Sequence, residues 1–232
     1  MSTDITIISS MATRQLLDDV VKIWAMRGGC SVHVESVGGV DASKRIMAGE
    51  RFDVAVLAAD AINKLAAADR VIGATVTELA RSSVAIAVRR GFSAPSIATE
   101  EALRQTVLTA RTLGYSTGPS GQALQGLFAR WGIVDDIRSR IVQAPPGIPV
   151  GELIRRGEVD VGFQQLSELM HLEGIEIIGP MPPGLEIDTI FSGAVCATSG
   201  HPDAARGLLE LTRSPAADDA MKRNGMQPAR PA

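Results

Sequence analysis

Between residues 113 and 133 the chain reads LGYSTGPSGQALQGLFARWGI, and its chemistry lies in the turn Thr117-Gly118-Pro119-Ser120-Gly121. Two hydroxyls, two glycines and a proline separate a short apolar strand (113–116) from an amphipathic helix ending near Trp131 and Gly132. A helix that starts this way leaves its first N–H groups without intrahelical partners, and its aligned peptide dipoles add partial positive charge there. Small residues in the turn let an anion approach that backbone closely. One such turn is weak evidence, because serine caps helices in all kinds of proteins.

The chain makes the same turn twice. Near the N-terminus a strand (5–10) runs into Ser9-Ser10-Met11-Ala12 and then a helix (13–26) with Trp24 in its last turn. An offset of 107 sets Trp24 on Trp131, Ser9 on Ser116, Gln15 on Gln122 and Leu17 on Leu124. IMAGERFDV (46–54) similarly matches IRRGEVDV (154–161), at 108 for Ile, Gly and Glu and 107 for Asp. A period this long is no solenoid. It implies two lobes of one architecture, each presenting a strand–turn–helix with a polar tip.

Composition narrows the partners. With 23 basic and 26 acidic residues the net charge is −3, which gives no global attraction to nucleic acid or anionic membranes. Aromatics at 3 % exclude platforms for stacked bases or sugars. Cys30 and Cys196 make no disulfide framework and read as two unrelated small hydrophobes. The three histidines, His33, His171 and His201, lack metal-ligand spacing, so no metal or cofactor is expected. Gly118-Pro-Ser120-Gly121 lacks the second glycine of a nucleophile elbow, and no phosphate-binding GxxxxGK[ST] or dinucleotide fingerprint occurs. No basic segment and apolar run precede the strand at Ile5 and no stretch is long enough to span a bilayer. The expectation is a cytoplasmic protein as the sequence stands, periplasmic if a leader has been removed, with no membrane insertion and a monomeric state.

The elements that must position these turns alternate. Strands are expected at 31–37, 53–58, 82–88, 140–143, 159–164, 175–178 and 187–197, and helices at 41–48, 61–68, 150–156, 166–172, 202–212 and 215–223. Thr99 caps a further helix with Glu100 and Glu101 in its first turn, a Pro-Pro-Gly turn stands at 145–147, and the tail after Gly225 reads as loose. Alternation of this kind gives an α/β fold. The final helices carry no third repeat, so the chain should cross into a second lobe near Ser82 and Ser83 and return near Ser192 and Gly193. Residues 1–82 plus 193–232 and residues 83–192 would form two similar three-layer α/β lobes joined by a two-strand hinge, with a ligand cleft between.

The order of elements resembles the type II periplasmic binding proteins, in particular the molybdate-binding-protein-like receptors of ABC transporters. The segments that carry it are VESVGG with IMAGERFDVAVLA (34–58), ARSSVAIAVRRG (80–91), LGYSTGPSGQAL (113–124), LIRRGEVDVGFQQ (153–165) and the closing HPDAARGLLELTRSPAADDAMKRNGMQP (201–228). The resemblance implies a small anion held by helix N-termini and hydroxyls, and a transporter permease as partner. It nominates Ser9, Ser10 and the Met11 amide in one lobe, and Thr117, Ser120 and Gly121 in the other. A second family hydroxyl falls on Gly39, and a ligand-contacting tyrosine falls on Gln165. These departures move the expected ligand from a tetrahedral oxyanion towards a carboxylate, for which Gln164, Gln165 and Arg81 supply matching amides and a guanidinium.

Two functions follow from this reading. The first is a solute-binding protein that closes on a small anion without chemistry. The alternative is an enzyme like aconitate isomerase, a relative of such receptors, which would move a proton on a polycarboxylate. It needs a base, and Asp41, Lys44 and Glu168 are the candidates. A third reading, a ligand sensor separated from its DNA-binding domain, finds no helix-turn-helix or basic segment to support it.

Overall fold

The computed structural model describes residues 4–145 and 147–230. Pro146, within the turn expected at 145–147, lies outside the described residues. The chain divides into two compact units: residues through Ser82 together with those from Thr189 onward, and Ser83 through Asp188.

The first unit opens with β1 (Asp4–Ser10), a single 3-10 turn (Met11–Thr13) and α1 (Arg14–Met26), followed by β2 (Ser31–Val37), α2 (Gly39–Met47), β3 (Val54–Ala58) and α3 (Ala59–Ala67). β1 lies between β2 and β3 and is parallel to both, with Ile7 facing Val34 on one side and Val54 on the other. Consecutive strands therefore fall on opposite sides of β1, which makes its carboxyl end a topological switch point. Ile5, Ile7, Val54 and Val56 pack with Leu16, Leu17 and Val20 of α1 on one face. Ile8, Ala55 and Leu57 pack with Ile46, Ile62 and Leu65 of α2 and α3 on the other.

β4 (Thr77–Arg89) carries the chain into the second unit, whose elements are α4 (Glu100–Thr109), β5 (Leu113–Tyr115), α5 (Pro119–Arg130), α6 (Val134–Ile137), β6 (Ile141–Gln143), α7 (Val150–Arg156), β7 (Val161–Gln165), α8 (Leu166–Leu169) and β8 (Ile175–Pro180). Its plan repeats that of the first unit. β5 is parallel to β6 on one side and β7 on the other, giving a second switch point. Ile7 and Ile8 face Val54 and Ala55; the residues 107 further along, Gly114 and Tyr115, face Gly162 and Phe163, 108 further along. The repeat seen in the sequence is thus a repeat of strand register. Leu124 and Phe128 of α5 cover one face, with the Phe128 ring edge-on to Phe163 at 6.2 Å. Val150, Leu153 and Ile154 of α7 cover the other.

The chain closes with β9 (Asp188–Val195), α9 (Pro202–Arg213), α10 (Asp218–Arg223) and β10 (Met226–Pro228). β9 pairs antiparallel with β3 in the first unit, as β4 does with β7 in the second. Three boundaries differ from the sequence reading. The return to the first unit falls at Asp188 and Thr189, ahead of Ser192 and Gly193. The tail is not loose, because Met226 to Pro228 pairs with Ala80 to Ser82 of β4 and buries Met226 in the core. α2 begins at Gly39 with Gly38 at its cap, so Asp41 stands in the first turn and is not the cap.

Asp53 ties the start of β3 to its surroundings. Its carboxylate accepts hydrogen bonds from the Thr6 amide (2.8 Å) and hydroxyl (3.0 Å), the Ser199 hydroxyl (2.7 Å) and the Gly200 amide (3.1 Å). Burial alone would raise its pKa, but these four donors outweigh it and hold the carboxyl below its ordinary value. Asp53 is thereby fixed as a structural anion. The same burial without a donor pushes the neighbouring Cys196 thiol up to about 12 and leaves it unreactive.

Candidate functional site

In the first unit the candidate residues gather at the carboxyl end of β1. Ser9 and Ser10 are adjacent, so the strand's alternation sends their side chains to opposite faces. Ser9 is fully buried and its Oγ is 2.8 Å from Ser36 Oγ on β2, so this hydroxyl joins two strands. Ser10 is only 7 % exposed, and its Oγ has no hydrogen-bond partner among the described residues. A buried hydroxyl without a partner costs on the order of 1–3 kcal/mol, which leaves the chemistry of Ser10 incomplete. Gly39, the first residue of α2, stands beside it; a Cβ there would lie 3.6 Å from that of Ser10. The hydroxyl therefore sits where β1 ends and a nine-residue helix begins, with the 3-10 turn from Met11 on its other side. Arg81 stands on a different element, exposed on β4 opposite Gln227 of β10.

The second unit builds the corresponding place from α5. Gly118 caps the helix, Pro119 is its first residue, and Ser120 lies buried in the first turn with its Oγ 3.4 Å from Ser116 Oγ. Thr117 is exposed in the turn. Gly121 is needed by close approach, since a Cβ on it would fall 1.7 Å from the Ser116 carbonyl oxygen. Gly121→Ala must push the first turn of α5 off the end of β5. It is expected to destabilise the protein by about 2–3 kcal/mol, the cost of overpacking, and to lower the melting temperature by roughly 5–10 °C. Circular-dichroism melts of the variant check this.

Gln164 and Gln165 end β7 and both are buried. The Gln164 side chain works inside the unit: its Oε1 accepts the Gly151 N–H in the first turn of α7 (2.9 Å), and its Nε2 donates to Glu168 Oε2 on α8 (2.7 Å). Gln164 thus does for α7 what a capping side chain does, from another strand. Glu168, a candidate base in the sequence, is the acid of this unit whose pKa is strongly raised. Burial pushes its carboxyl up to about 7, only partly offset by the Gln164 hydrogen bond. Its i, i+4 spacing from Gln164 is visible in the sequence, but the strand-to-helix change between them hides the contact. Asp41 and Lys44, the other proposed bases, lie on α2 in the first unit.

A groove of about 620 Å³ also exists in the first unit, lined by Trp24, Gly29, Cys30, Gly207 and Leu211 among others. It opens at the far end of α1, roughly 20 Å from Ser10 by the rise of a 13-residue helix. The Trp24 indole already donates to the Cys30 carbonyl (3.1 Å), and no buried polar group in its lining lacks a partner. Size therefore favours the groove and chemistry favours the strand ends; the incomplete hydrogen bonding of Ser10 decides for the latter.

Two α/β units of one strand order, each with a switch point at its middle strand, define a class, and comparison with known proteins places it. The periplasmic molybdate-binding protein of Azotobacter vinelandii superposes with a TM-score of 0.81 at 16 % identity, over 98 % of this chain and 100 % of that one. The sulfate-binding protein of Mycobacterium tuberculosis gives 0.80 at 18 %, over 99 % and 88 %. The fold is that of the type II periplasmic binding proteins. The family model described as bacterial extracellular solute-binding protein matches residues 5–227, and the chain belongs to that family. Among curated proteins, aconitate isomerase from a Pseudomonas species is 32 % identical over 97 % of this chain and 88 % of its own length. Among the described residues no helix is long and apolar enough to cross a membrane.

Proposed function

We propose that this protein binds a small carboxylate-bearing anion, with the carboxyl end of β1 in the first unit and that of β5 in the second each, taken by itself, a candidate place of contact. The observation that carries the reading is the buried, unpartnered hydroxyl of Ser10 at the first turn of α2. The ligand supplies the acceptor that this hydroxyl lacks. Helix ends alone are insufficient: each contributes about 0.3–1 kcal/mol to a bound charge, up to ~2 when partly buried. Micromolar affinity needs about −8 kcal/mol. The donors available to make up the difference are the Ser10 hydroxyl with the Met11 and Gly39 amides in the first unit, and the Thr117 and Ser120 hydroxyls with the Gly121 amide in the second. Gly39 contributes a backbone donor but no side chain, which leaves room for a planar group where a tetrahedral oxyanion would want another hydroxyl. Family membership adds a transporter permease as the partner for a receptor of this kind.

A second reading, that the protein isomerises the anion it binds, is favoured by the 32 % identity to aconitate isomerase along almost the whole chain. Both readings share the ligand class. A thermal-shift panel of sulfate, molybdate, citrate, tricarballylate and trans-aconitate tests it. A ligand at 1,000 times its Kd stabilises by about 4 kcal/mol, or roughly 10 °C for a chain of this size. Stabilisation by the tricarboxylates with none by sulfate or molybdate is the expected result; the reverse order would refute the carboxylate assignment.

A further inference from the structure

We propose that Glu168 is the catalytic residue of the isomerase reading, on which this inference rests: its carboxylate takes a proton from an acidic C–H of a bound unsaturated polycarboxylate and returns it to another carbon of the same molecule. Three observations support this. First, Glu168 stands at the functional edge of the second unit. β5 and β7 run parallel with Tyr115 facing Phe163, so Ser116 and the turn into α5 leave the sheet at the same edge as Gln164, Gln165 and α8. Ser116 reaches Ser120 in the first turn of α5, and Gln164 holds Glu168. Both groups thus stand at the carboxyl edge of one parallel sheet, the edge at which α/β folds bind ligands.

Second, Glu168 is held and partly open. Its Oε2 accepts from Gln164 Nε2 at 2.7 Å while Gln164 Oε1 is anchored on Gly151. α8 is seated directly on the first turn of α7, where a Cβ on Gly151 would strike Leu172 at 2.4 Å and meet Leu169 at 3.2 Å. One carboxylate oxygen is fixed by this brace, and the residue as a whole keeps intermediate exposure while its carboxyl is strongly desolvated. Third, its proton is poised. Among the described residues, burial and Gln164 are what act on the carboxyl, with no cation or second carboxylate from β7, α7 or α5 adding a charge, and it titrates at about 7. A group that is half protonated near neutrality can both remove and return a proton. Asp53, by contrast, is held ionised by four donors that outweigh its burial, at the amino end of β3.

The chemistry balances with this one group. In aconitate the methylene between the double bond and a carboxylate is the acidic position. Its C–H bond breaks as the O–H bond of Glu168 forms, and the electron pair spreads over three allylic carbons. The same carboxyl then protonates the far carbon, the double bond moves, and no oxidant, reductant or second substrate is consumed.

The test is ¹H NMR of trans-aconitate with the intact protein in D₂O, beside calorimetric binding. Wild type is expected to form the cis isomer and to exchange carbon-bound hydrogen for deuterium, with a rate that rises as pH passes through about 7. Glu168→Gln is expected to lose at least a hundredfold in both reactions while its Kd stays within about threefold. Glu168→Asp, with the carboxyl withdrawn by one methylene, should recover part of the rate. Undiminished turnover in Glu168→Gln overturns the assignment and leaves the isomerase reading standing. Wild type that binds trans-aconitate with neither exchange nor cis product overturns both. Should Glu168→Gln fail to fold or bind, the wild-type profile decides, and a rate flat between pH 6 and 8 overturns the role of Glu168.

Discussion

Ser120→Asp is expected to abolish anion binding and to lower stability, because the side chain is buried and a carboxylate there loses its solvation. Ser120 is the second residue of α5, after Gly118 at the cap and Pro119. A carboxylate in the first turn interacts favourably with the helix dipole, by about 0.3–1 kcal/mol. The same carboxylate occupies the place meant for the ligand's negative charge. Two like charges ~4 Å apart at an effective dielectric of 20 repel by about 4 kcal/mol, roughly a thousandfold in affinity. The dipole offsets only part of the cost of burying the charge, so affinity is read at a temperature where the melt shows the variant fully folded. Titration calorimetry and a thermal melt on the same sample measure affinity and stability. Unchanged affinity would remove Ser120 from the site.

Glu168→Gln is expected to stabilise the protein above neutral pH and to make no difference near pH 4. The carboxyl has a pKa of about 7 in the folded protein against an ordinary 4.5. Between those values the folded state binds more protons than the unfolded one, so wild-type stability falls as pH rises through that window and stays lowered above it. At 1.36 kcal/mol per pH unit the full penalty is about 3 kcal/mol, an upper limit for a half-buried group. Glutamine keeps an oxygen for Gln164 Nε2 and carries no charge, so it escapes the penalty. Urea unfolding at pH 4.5 and 8.5 should show the variant equal at the first and about 2 kcal/mol more stable at the second. Parallel pH dependence in both proteins would mean that Glu168 is ordinary.

Much of this architecture is written in local sequence. The offsets of 107 and 108 survive because β1 and β5, and β3 and β7, hold equivalent places in two sheets of the same register, which constrains apolar spacing and the glycine that ends each intervening helix. What escaped was non-local. β10 is three residues ending in proline, too short for any periodicity, and its pairing with β4 depends on residues some 145 positions earlier. The first half of β4 escaped too, since Glu78 and Arg81 point outward and make it look like a polar linker.

The site divides in the same way. Two serines followed by a helix mark the β1 turn, yet which serine is available depends on Ser36, a residue of the next strand that takes Ser9 and leaves Ser10. Gln164 attracts notice as a buried amide in an apolar strand, but its assignment to ligand assumed that its hydrogen bonds were unfilled. Gly151 and Glu168 fill two of them, and neither contact has a local signature beyond the i, i+4 spacing to Glu168. Hydroxyls and helix starts are legible because they are set by adjacent residues; what completes or occupies them is set by the fold.

The central claim is that a bound anion supplies the acceptor that the buried Ser10 hydroxyl at the end of β1 lacks. Two-dimensional ¹H–¹⁵N NMR, with trans-aconitate titrated into the ¹⁵N-labelled protein, tests it most directly. Saturable shifts in the amides of Met11, Gly39, Ser120 and Gly121 are the predicted result, with those around Trp24 and Gly207 unmoved. Shifts confined to the Trp24 groove, or none at millimolar ligand from any polycarboxylate, would contradict it.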